Sequence, residues 1–193
     1  MKYDSLLYMG GNNLSKPTGR VGLFGQKLKD NGLMIYMTEG DYYIGQDLDF
    51  VAKWFYGDVS SASRTYLAQL NKENKQGFQE DAGLTIDNQT LVDRTIWWEK
   101  FVAAHSNSIL TYRAKKSWCL YLGTLMTGMD NTPVKDVNGI DDYYKSAYTY
   151  LQNKYSNSQT NKYVKPYFKL LLQKNNNEAD KLIETYRKAG VIY

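Results

Sequence analysis

Histidine, cysteine and proline are nearly absent from this 193-residue chain, which has one, one and three of them. His105 and Cys119 cannot supply a tetrahedral Cys/His zinc site, which needs four such ligands. A Ser-His-Asp triad or a Cys-His dyad would rest on the same single residues. On one continuous helix the two would stand about 21 Å apart, beyond contact, and only a helical hairpin could join them. A helix-end role, satisfying a terminal carbonyl, is the reading for His105. The lone cysteine forms no internal disulfide, and its apolar helical surroundings fit a buried thiol in a reducing compartment. The most apolar stretch, Trp118 to Met126, is far shorter than the roughly 20 residues that span a bilayer. Met1 to Tyr8 carries Asp4, and Gly10 follows before an h-region can form, so no signal peptide is expected.

Cofactor motifs also fail. Gly19, Gly22 and Gly25 recur at every third position, which fits neither the dinucleotide fingerprint nor the P-loop, and Leu28 stands after Lys27 where a P-loop needs Ser or Thr. Residues 136–142 place their glycine too early for a calcium loop and lack its final glutamate. The paired acids Asp47 and Asp49, and Asp141 and Asp142, suit helix N-termini, while Glu99 and Lys100 read as surface charge. Neither catalytic residues, cofactor nor metal is expected, and the chain reads as a non-enzyme.

What is present is an uneven distribution of charge and tyrosine. Residues 1–31 carry five Lys/Arg against two acids, residues 32–142 ten against fifteen, and residues 143–193 nine against three. The last segment also holds nine of the eighteen tyrosines. Interleaved tyrosine and lysine can bury amphipathic rings while holding a positive field toward water, which suits contact with an acidic partner. Two groups are candidate polyanion contacts: Arg113, Lys115 and Lys116, and Lys162, Tyr163, Lys165, Tyr167 and Lys169.

The periodicities predict a mainly α fold, an irregular helical bundle with a small N-terminal β-hairpin and an extended N-terminal arm. Residues 1–32 read as the arm, because glycines and Pro17 separate isolated apolar residues. Residues 33–193 read as a single α-rich domain, with a hairpin over 33–44 and helices from 47 onward. Leu48, Val51, Ala52 and Phe55 repeat at helical spacing behind Asp47, and Ser60 or Ser61 caps a second helix, followed by a polar segment from Asn71 to Gly83. Leu91 to His105 and Ser108 to Met126 form the central pair, the latter with a stripe of Leu110, Ala114, Trp118, Tyr121, Leu122 and Leu125. Three shorter helices follow. The first starts at Asp141 or Asp142, the second has Pro166 in its first turn, and the third opens at Glu178 and ends at Gly190.

These features predict an assembly or interaction protein. The favoured form is a viral or phage virion component of the head-tail connector or neck-ring type, synthesised in the host cytoplasm and carried in the virion. It is expected as a homo-oligomer among neighbouring structural proteins, with no membrane contact. Its interface is expected at Leu14, Val21, Leu23, Phe24 and Leu28 of the arm. The alternative is a mobile-element inhibitor or regulator that binds nucleic acid, or an enzyme acting on nucleic acid, through the basic C-terminal helices.

Overall fold

The computed structural model describes residues 19–38, 41–136 and 139–193. Among these residues there are eight helices and four two-stranded antiparallel sheets, so the fold is mainly α. The chain divides into two compact units, one ending at Lys75 and the other starting at Gln76, within the span where the sequence predicts one domain.

Among the described residues, the first unit opens with α1, Gly19–Asp30. This corrects the expected extended arm over that stretch. Gly22 and Gly25 each cost a helix only about 1 kcal/mol relative to alanine, and the intervening Leu, Gln and Lys residues favour it. Lys27 and Lys29 sit in the last turn, where the free carbonyls attract cations. The chain leaves the helix at Gly32, whose φ of +72° is a left-handed conformation that glycine adopts freely. Leu14 and the rest of the expected arm up to Thr18 lie outside the described residues.

Strands β1 (Leu33–Thr38) and β2 (Asp41–Gln46) form the expected hairpin, pairing Leu33 with Gln46 through Thr38 with Asp41. Opposed Tyr36 and Tyr43 stack with ring centroids 5.3 Å apart. The α2 helix (Leu48–Phe55) starts at Asp47, whose carboxylate accepts the amides of Asp49 at 2.9 Å and Phe50 at 3.3 Å. Ser60 caps α3 (Ser61–Gln76) by accepting from Ser63 at 3.1 Å. That helix continues well into the segment expected to be a polar connection.

The second unit is built around α4 (Asn88–Ala104), which packs against α5 (Thr111–Thr127), α6 (Asp142–Lys154) and α7 (Gln159–Leu172), while α8 (Asn176–Lys188) packs on α7. Between the helices run three minimal hairpins: β3 (Gln79–Glu80) with β4 (Gly83–Leu84), β5 (Gly128–Met129) with β6 (Thr132–Pro133), and β7 (Lys135–Asp136) with β8 (Gly139–Ile140). The first two are tied together, since Asn131 N–H donates to Ala82 O at 3.0 Å and Leu84 N–H to Thr132 Oγ1 at 3.2 Å.

The predicted α5 stripe holds from Ala114 on: Ala114, Tyr121, Leu122 and Leu125 are buried, and half-buried Trp118 directs its indole N–H to Thr160 Oγ1 at 3.0 Å, whereas Leu110 stands before the helix as its N-cap residue and is half-buried. Gly190 closes α8 as expected, with its N–H bonded to Arg187 O and that of Val191 to Tyr186 O. Pro166 requires a correction. It lies inside α7, because the helix already begins at Gln159, and the carbonyl that loses its usual i+4 donor belongs to exposed Lys162, within reach of water.

Candidate interaction surfaces

The C-terminal tyrosines, expected at an interface, are largely internal. Tyr143 donates its hydroxyl to Ile86 O at 3.0 Å, Tyr144 to Thr132 O at 2.8 Å and Tyr148 to Leu125 O at 2.9 Å. One helix thereby fastens three other segments through phenol-to-backbone hydrogen bonds. Burial raises the pKa of Tyr144 to about 12 and that of the fully enclosed Tyr148 well above the ordinary tyrosine value. Of the proposed polyanion contacts, Tyr167 is buried against Tyr148, in the same core as Phe168, so its ring is not available outside. Tyr163 is half-buried, its ring packed between Trp118 and Tyr186. Rings of this size are worth more to the core than at a wet surface.

The lysines behave differently. Lys162, Lys165 and Lys169 are exposed along one side of α7, spaced at three and four residues, and none forms an ion pair among the described residues. On α5, Tyr112, Arg113, Lys116 and Leu120 share an exposed face by the same spacing. Tyr112 is 68% exposed, with the Lys116 ammonium 4.8 Å from its ring centroid. Lys115 is exposed to one side of this stripe and opposes the burial that raises the Cys119 thiol.

The expected arm interface is dispersed. Leu23 is 68% exposed and Phe24 half-buried, but Leu28 is buried within the described chain and cannot dock on a neighbour. The correction follows from the α1 helix, which turns position 28 inward; the side chain of Val21, like Leu14, lies outside the described residues. A different apolar surface was missed. The α2 helix reads as a packing helix in sequence, yet it has no buried residue, and Trp54 and Phe55 are 57% and 51% exposed. Tyr43 and Ile44 of the hairpin are exposed in the same unit.

The carboxylates serve structural ends. Asp47 and Asp141 are N-caps as expected, the latter accepting from Tyr143 N–H at 2.8 Å. Glu99 is a correction to the surface reading, for it accepts the backbone amides of Gln159 at 2.8 Å and Thr160 at 2.7 Å. Asp93 gathers the hydroxyls of Tyr155 at 2.8 Å and Tyr150 at 3.0 Å, together with the Lys154 ammonium at 3.4 Å. The hydrogen bond to Tyr150, first among several contributions, raises the Lys154 pKa. The His105 ring packs on Phe101 with centroids 4.5 Å apart, and its backbone carbonyl accepts from Thr111 Oγ1. Among the described residues no three His, Cys, Asp or Glu side chains converge on a metal position, and no helix is long and apolar enough to cross a membrane.

Against this geometry, comparison with family models, curated proteins and solved structures finds no match to the chain.

Proposed function

We propose that this chain is a non-enzymatic interaction protein, an assembly component that joins copies of itself and neighbouring structural proteins through its N-terminal unit. The observation that carries the reading is α2, an apolar helix without a buried residue that holds Trp54 and Phe55 toward solvent. Exposed tryptophan and phenylalanine beside a two-stranded sheet form the kind of surface that protein partners cover, and aromatic anchors supply much of the energy at such interfaces. The setting proposed is a viral or phage virion, in a connector or neck ring; its support is the Asn-, Lys- and Tyr-rich composition alone.

Replacing Trp54 and Phe55 together by serine tests the assembly reading. The parent chain is expected to show concentration-dependent association by sedimentation velocity, and the double variant to remain monomeric with the same helical circular dichroism. A parent that stays monomeric at all concentrations, or a variant that associates equally well, overturns it.

A second reading is favoured by the unpaired lysines of α7 and the Tyr112 and Lys116 face of α5. Basic side chains interleaved with an exposed ring suit nucleic acid or an acidic protein that handles it, the ring stacking while the ammonium groups displace counterions.

A further inference from the structure

In the second unit, Thr127 at the end of α5, the segment Pro133 to Lys135, Tyr167 of α7 and one face of α8 surround a half-open cavity of about 290 Å³. Its walls are chemically divided. Val134 and Ile183, both buried, supply an apolar side. Two ion pairs supply the polar side: Lys135 to Asp180 at 2.8 Å and Arg187 to Glu184 at 2.6 Å.

Tyr167 gives the cavity its direction. Its side chain is only 2% exposed, it lines the cavity, and its hydroxyl has no hydrogen-bond partner among the described residues. On α6, Tyr143, Tyr144 and Tyr148 each have a backbone carbonyl for the same purpose, and Tyr150 has the Asp93 carboxylate. The hydroxyl is not among the enclosed side-chain atoms left without a partner, so it meets the water of the cavity, and a ligand acceptor can take that water's place. Burial, aided by the nearby charge of Asp180, raises the Tyr167 pKa and keeps the group a donor at neutral pH.

The charges narrow the ligand class. A simple anion entering the cavity meets Asp180 and Glu184, and a simple cation meets Lys135 and Arg187. A molecule with one separated charge of each sign can align with both pairs at once. The volume falls near the lower end for ligand pockets, so the molecule is small.

We propose that this cavity binds a small zwitterion of the free amino acid type. The ligand's apolar side chain rests on Val134 and Ile183, its carboxylate turns toward Lys135 or Arg187, its ammonium toward Asp180 or Glu184, and one of its oxygens accepts from Tyr167. This site is independent of the assembly surface on α2.

The test is calorimetric titration of the full chain with each of the twenty free amino acids, and with N-acetyl-leucinamide as a ligand that keeps an apolar side chain but loses both charges. At least one apolar amino acid is expected to saturate a single site, with the blocked derivative at least tenfold weaker. Tyr167→Phe should weaken binding at least fivefold. The ion-pair variant Lys135→Gln with Asp180→Asn, which removes neither apolar wall, should weaken it similarly. Failure of every amino acid to saturate, equal binding of the blocked derivative, or unchanged affinity in both variants overturns the assignment.

Discussion

Glu99, within α4, accepts the backbone amide of Thr160 at 2.7 Å and so closes the first turn of α7. The amide of Gln159 joins the same carboxylate, and Ser158 Oγ takes that of Asn161 at 3.0 Å. Three of the four amides that a helix start leaves free are thus satisfied, two of them by a residue some sixty positions earlier. The cap is therefore also a tertiary contact.

Removing that carboxylate should be felt in the stability of the unit. Glu99→Ala is expected to cost about 1–2 kcal/mol, the range for losing an N-cap, and Glu99→Gln less, because one acceptor oxygen remains. Glu178→Ala in the exposed first turn of α8 should stay within about 0.5 kcal/mol. Urea denaturation of the three variants measures the contrast, and equal costs for the two alanine variants would discard the capping role.

Gly128→Ala should be severe for a different reason. The residue has φ of +72°, and an added Cβ would stand 2.6 Å from Thr132 O and 2.9 Å from Val134 N. The left-handed conformation alone costs an L-residue roughly 1–2 kcal/mol, and the collision is with backbone that cannot move without opening the β5 and β6 turn. A loss of more than about 2 kcal/mol is expected by thermal or urea unfolding. Gly139→Ala, where φ is also positive but no described residue beyond its chain neighbours comes within 4 Å of the added Cβ, should cost less.

Alkaline pH should unfold the second unit through its tyrosines. Their folded pKa values are raised above the ordinary value of 10, so the folded state retains the phenolic proton longer than the unfolded state. The resulting stabilisation is complete below pH 10 and is lost as pH rises toward and beyond about 12, the value for Tyr144. Titration followed by phenolate absorbance and circular dichroism together should show the buried tyrosines ionising only as helical signal disappears. Ionisation of all eighteen tyrosines in one step near pH 10, with the helices intact, would contradict their enclosure.

For the α7 lysines the expected readout is salt dependence. Each phosphate contact contributes about 0.9 to the slope of log affinity against log salt on duplex DNA, so Lys162→Gln, Lys165→Gln and Lys169→Gln combined should flatten it by roughly 2–3. Filter binding to a mixed-sequence duplex across salt concentrations measures this. An unaltered slope assigns the three lysines to solvated surface.

The hairpin and the central helices were legible because their signals are local. The apolar run Leu33 to Met37 and the stripe ending at Leu122 and Leu125 each fit within one element. Side chains that work at a distance were not. Nothing beside Glu99 indicates that its partners are Gln159 and Thr160, and a charged residue after two tryptophans reads as surface. Tyrosine was ambiguous in kind: an amphipathic ring serves an interface or a core, and only the carbonyls of Ile86, Thr132 and Leu125 decide between them. The opposite error occurred at α2, where Leu48, Val51, Ala52 and Phe55 have the spacing of a packing face that the fold does not bury. Pro166 misled because the start of α7 is set upstream, by Ser158 and Glu99.

The order in which α4 meets its neighbours also bears on how the second unit folds. α4 and α5 are separated by residues 105–110, α6 and α7 by 155–158, and α7 and α8 by 173–175, and each of these pairs packs together. Their loops are short, so little chain entropy is lost in bringing each pair together, and such contacts form quickly. The return of α6 and α7 onto α4 closes a loop of some sixty residues, and the Glu99 cap can form only after that closure. Contacts across so long a loop slow folding, so the rate of this unit is expected to depend more on that closure than on the formation of its helical pairs.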